Sequence, residues 1–117
     1  MKKLIVSYFL ITGLLLTSCG PRVATTINNT YTPIAYDDEV TIIQQGSSRP
    51  ENAEVLGTVK VGDNGFTARC TYKDVITEAK MEARKAGGNA LHITRHHSPD
   101  LLSTCHRITA KILKVKE

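Results

Sequence analysis

The chain passes through several hydrophobic patterns in succession. Residues 4–16 form one apolar block behind Lys2 and Lys3. Residues 20–33 are rich in Thr and Asn, contain Pro21 and Pro33, and hold no sustained period. Residues 40–44 are a short β-branched run. Residues 54–61 alternate, which places Val55, Gly57, Val59 and Val61 on one face and Thr58 and Lys60 on the other. The period then becomes helical: Ile76, Ala79, Ala83 and Ala86 recur on one side, with Val75 beside them. Thr71 and Asp74 form a capping-box start, and Gly87-Gly88 provides a left-handed stop. Residues 90–96 read as a strand with Leu91 and Ile93 on one face. Residues 106–115 read as another, with Ile108, Ala110 and Ile112 opposed to Arg107, Thr109 and Lys111. The expected fold is α+β: a small, largely antiparallel four-stranded sheet in the order β-β-α-β-β, with one helix packed on one face and one disulfide.

The N-terminal block changes the picture most. Thirteen residues are too few to span a bilayer, which needs roughly 20 apolar residues. A basic start, a short apolar stretch and small residues before a cut are the marks of a secretory signal. Leu16-Thr17-Ser18-Cys19 follows, and a cysteine at the new first position resembles the bacterial lipobox. The reading is a lipoprotein signal peptide over 1–18, a lipidated Cys19, and a flexible tether over 19–39 with an r.m.s. reach of roughly 20 Å. Residues 40–117 then form the domain. Two or more acyl chains on Cys19 give a stable membrane anchor. Gly20, in place of Asp, directs such a lipoprotein to the outer membrane by the bacterial sorting rule.

Cleavage also reduces the charge. Of 15 basic residues Lys2 and Lys3 are lost, leaving 13 against 11 acidic ones. No run of Lys and Arg with interleaved aromatics marks a nucleic-acid surface. A domain of about 80 residues is marginal by itself and benefits from a covalent staple.

Lipidation of Cys19 leaves Cys70 and Cys105 to pair with each other in an oxidising compartment. Their bridge closes a loop of about 35 residues, worth roughly 4 kcal/mol in the chain-entropy model. A catalytic dithiol is the other reading. It calls for Cys-x-x-Cys at a helix start, and Cys105 lies far from Cys70 in sequence.

Four histidines, His92, His96, His97 and His106, fall within fifteen residues and raise the alternative of a periplasmic metal-binding module. On a regular strand His92 and His96 share a face but stand roughly 13 Å apart. His96 and His97 point to opposite faces. His106 approaches one of them across the hairpin, which gives a two-ligand site. The residues 62–65, Gly-Asp-Asn-Gly, form a turn without the Lys and following helix of a phosphate loop. No nucleophile set, cofactor motif or small-molecule substrate site emerges.

The Val55-Leu56-Gly57-Thr58-Val59 strand, Cys70 ahead of an Ala/Lys/Met-rich helix, Ala86-Gly87-Gly88-Asn89-Ala90-Leu91 and Cys105-His106-Arg107 occur in that order. Together they resemble the family of the outer-membrane stress-sensing lipoprotein of the Rcs envelope phosphorelay, over residues 40–115. Cys70 and Cys105 fall where that family has one of its two disulfides. Its second disulfide has no counterpart here, and its long Pro-rich tether is much shorter. The helix-to-Gly-Asn-Ala signature also occurs in a wider group of small domains, some described as heavy-metal-binding. The resemblance implies a non-enzymatic envelope lipoprotein that works through protein–protein contact, in envelope stress sensing or scaffolding, with another envelope protein as partner.

Overall fold

The computed structural model describes residues 21–63, 70–101 and 103–116. The expected signal peptide over 1–18 and the expected lipidation site Cys19 lie outside them. The described residues form five strands and one helix: β1 (Arg22–Ile27), β2 (Thr41–Ile43), β3 (Ala53–Gly62), α1 (Tyr72–Lys85), β4 (Ala90–His97) and β5 (Arg107–Val115). They form one five-stranded sheet in the order β1-β3-β5-β4-β2. The β1·β3, β3·β5 and β5·β4 pairs are antiparallel, whereas β2 pairs with β4 in parallel. The α+β class and the single helix agree with expectation. The sheet has a fifth strand and is mixed.

The extra strand corrects the tether. Residues 22–27 pair along their whole length with β3, from Arg22 opposite Gly62 to Ile27 opposite Gly57. The chain beyond is also held. Asn28 and Asn29 donate their amides to the Leu56 carbonyl, Tyr31 to Ala86 and Ile34 to Arg84. Glu54 accepts hydrogen bonds from the Tyr31 hydroxyl and from Asn29 Nδ2. Those bonds, the tyrosine's first, hold its carboxyl below the usual range. The alternation is present in Arg22-Val23-Ala24-Thr25, but threonines stand where aliphatic residues would have announced a strand. Gly57 makes the pairing possible: a Cβ there would lie 2.2 Å from the Thr26 carbonyl oxygen. Such close backbone approach is a recurrent reason for glycine inside a strand.

The helix begins and ends as its sequence specifies. Thr71 Oγ1 accepts the Asp74 amide, and the Asp74 carboxylate accepts the Thr71 amide. At the other end Gly87 adopts φ +80, and its amide donates to the Arg84 carbonyl. A side chain at this position would meet Tyr31 backbone at 2.7 Å, so Gly87 serves both the helix stop and the returning chain. Asn89 then pins β4 to β5. Its side chain donates to the Val115 carbonyl at 2.9 Å and accepts the Val115 amide at 2.8 Å.

The helix covers one face of the sheet. Val75, Ile76, Ala79 and Ala83 pack on Val59, Val61, Leu91, Ile93, Ile108, Ala110 and Ile112 in one core cluster. Small residues on the helix allow it to lie close to the strands. Among the described residues no helix is long and apolar enough to cross a membrane.

Two bulges revise which residues share a face. The register against β5 shifts between Val55 and Gly57, which leaves Leu56 as the extra residue of β3. Val55 pairs with Leu113 on the face away from the helix, so it does not join Gly57, Val59 and Val61 as the simple alternation expects. A second shift between Ile93 and Arg95 leaves Thr94 unpaired. One extra residue inverts the parity of everything beyond it.

Candidate functional site

The bulge at Thr94 decides where the histidines go. His96 pairs with Ile108 and therefore turns to the helix side, whereas Arg95 and His97 pair with Thr109 and Arg107 on the open side. His92, opposite Lys111, is also on the open side. The expectation that His92 and His96 share a face is thereby overturned. The expectation that His106 meets a strand histidine holds: His96 Nε2 and His106 Nδ1 are 3.0 Å apart. Tyr72, the first residue of α1, closes the cluster, its ring centroid 5.0 Å from His96 and 5.9 Å from His106.

A 3.0 Å contact between two imidazole nitrogens requires one to donate and one to accept. Both rings cannot be cationic there without repulsion. Burial, then His106, then His97, lower the His96 pKa from its ordinary value. As a metal site the arrangement offers two ligands. Among the described residues no group of three or more His, Cys, Asp or Glu is placed to hold an ion. The four-histidine alternative is thus divided by the sheet into His96 with His106 on one face and His92 and His97 on the other.

The disulfide borders this cluster. Cys70 and Cys105 are bonded, with Cα atoms 4.9 Å apart, and the His106 amide donates to the Cys70 carbonyl at 3.0 Å. The bond ties the entry of α1 to the start of β5, as its place at two element boundaries requires. Cys105 has no exposed surface and Cys70 is 8% exposed. Thiol–disulfide exchange proceeds by attack of a thiolate on an accessible sulfur, and Cys105 offers none.

The sequence reading missed the feature on the opposite face. No helix covers it. Arg22 from β1, Lys60 from β3, Arg107 from β5 and Arg95 with His97 from β4 converge there around a concavity of about 660 Å³. The parity of Lys60 and Arg107 was visible in the alternation. Arg22 required β1 to be recognised as a strand, and Arg95 required the bulge, because regular alternation would have sent it to the core. Asp63 also lines the concavity and accepts a hydrogen bond from Ser103 Oγ at 2.9 Å. Arg107 is ion-paired with Asp100 at 2.9 Å, and its Nε is buried without a hydrogen-bond partner among the described residues.

Comparison of the chain with protein-family models, curated proteins and solved structures finds no match.

Proposed function

We propose that the chain is a non-enzymatic bacterial envelope lipoprotein whose small stapled domain engages another envelope protein, in stress sensing or scaffolding. The observation that carries this reading is where the fold starts. Strand β1 begins at Arg22, three positions after the lipobox-like Cys19. Three extended residues reach roughly 10 Å. Acyl chains on Cys19 would therefore hold the domain against its membrane, with no long leash, and restrict its partners to molecules on that surface. An exposed edge supports protein contact. Among the described residues the sheet order leaves the outer side of β1 unpaired, and such an edge is a template for an added strand. The resemblance to the Rcs outer-membrane lipoprotein family points the same way.

Intact mass of the protein extracted from bacterial membranes tests the anchor. It should show cleavage before Cys19, acyl mass on that residue, and two hydrogens fewer for the Cys70–Cys105 bridge. A soluble, unacylated chain would overturn the reading. Crosslinking in intact cells should then return a reproducible envelope protein, and repeated recovery of none would remove the partner role.

A further inference from the structure

The open face of the sheet is chemically one-sided. Arg22, Lys60, Arg95, Arg107 and Lys111 occupy open-face positions on four adjacent strands, and none of the strand positions on that face is a carboxylate. Lys111 is engaged with Thr58 Oγ1 at 2.9 Å, and Arg107 with Asp100. Arg22, Lys60 and Arg95 have no carboxylate partner among the described residues. The acidic side chains of α1, Asp74, Glu78 and Glu82, belong to the layer on the other side of the sheet.

Gathering cations in this way disfavours the fold slightly and does nothing for the core. The lining sets Arg22, Lys60, Arg95 and Arg107 against one carboxylate, Asp63, which accepts from Ser103, and a concavity with such a positive excess focuses its field and attracts the opposite sign. Guanidinium groups suit phosphate, because their planar donor fork matches its oxygens. The volume of about 660 Å³ lies within the range of small-ligand sites. Arg22 both lines this concavity and opens β1, so an acylated Cys19 would leave the concavity within roughly 10 Å of the lipid surface.

The geometry points to the phosphate groups of anionic lipid headgroups as the ligand of this concavity. They would seat the open face of the sheet on the membrane and turn α1 away from it. The choice of a lipid as the source of phosphate rests on acylation of Cys19, whereas the anion site rests on the sheet alone.

The experiment uses the acylated mature protein, its Cys19 modification first established by mass, reconstituted into vesicles of phosphatidylcholine with or without phosphatidylglycerol. The readout is the rate at which an amine reagent modifies Lys60, with Lys80 on α1 as the internal reference. Phosphatidylglycerol should slow modification at Lys60 and leave Lys80 unchanged, and high salt should abolish the difference. One surface cation contributes roughly fivefold to binding at an anionic membrane, so Arg95→Gln should return about that factor of the lost rate at Lys60. Equal rates at Lys60 in both vesicles, or equal slowing at Lys60 and Lys80, would overturn the proposal. Protection of Lys60 by inorganic pyrophosphate but not by phosphatidylglycerol would overturn the lipid source. Each of these failures leaves the acyl mass intact, and so is distinct from failure of the lipoprotein reading.

Discussion

The two faces of the sheet are built from the same strands and behave as different materials. The face under α1 presents Val59, Val61, Leu91, Ile93, Ala110 and Ile112, each no more than 2% exposed. The other presents Thr58, Lys60, Arg95, Arg107 and Thr109 to a concavity or to solvent. Around the concavity adjacent residues in one strand thus belong to separate regions, one that makes the domain stable and one that is free to recognise something, whereas farther along the open face Ala90 and Leu113 are buried. Stability on the covered face does not depend on the chemistry of the open one, so the open face can collect charge that a two-sided core would reject.

The sharpest test of this division removes the staple at the edge of the covered face. Replacing Cys70 and Cys105 together by Ser should cost about 4 kcal/mol in urea unfolding, the chain-entropy value for a loop of that length. A loss below about 1 kcal/mol would mean that the helix entry is held by packing alone. Next comes the core itself. Ile112 is fully buried, and Ile112→Ala should cost about 3 kcal/mol by lost transfer energy and an unfilled cavity.

A smaller effect sharpens the boundary at the histidines. The His96 pKa is lower in the fold than in the unfolded chain, so the unfolded state takes up the extra proton first. Stability is therefore full above about pH 6.5 and is lost as pH falls through that value and through the lower folded one. Thermal melts stepped downward from neutral pH should show the loss, and His96→Gln should flatten it. A wild-type and variant that decline in parallel would assign the decline to other groups. The smallest effect is expected on the open face. Lys60→Gln and Arg95→Gln should each change stability by less than about 0.5 kcal/mol, as exposed surface positions do. A larger loss would show that these cations serve the fold after all.

Much of the fold was legible because its signals are local. Thr71 and Asp74 marked the start of α1, Gly87 its end, and Ile76, Ala79 and Ala83 its buried side. The disulfide followed once Cys19 was set aside. Strand β1 was not legible, because its half-buried positions are only Val23 and Thr25, and Thr25 satisfies its hydroxyl by donating to Glu82 at 3.0 Å. That stabilisation comes from a helix far along the chain, and no local pattern reports it. The histidine pair was half legible: the hairpin brought His106 to the right strand, but the bulge chose His96 as its partner.

The sequence by itself determined the helix, the alternating character of the long strands and the staple, and it carries the lipobox-like pattern on which the proposed export rests. These depend on periodicity, capping and residue chemistry, which act over a few positions. Only the tertiary structure decided that residues 22–27 close one edge of the sheet, and that Leu56 and Thr94 are the extra residues where parity inverts. The inversion at Thr94 sends His96 inward and Arg95 outward. Strand order and register are settled by which long-range pairing buries the most apolar surface, a property of the whole assembly that no single segment encodes.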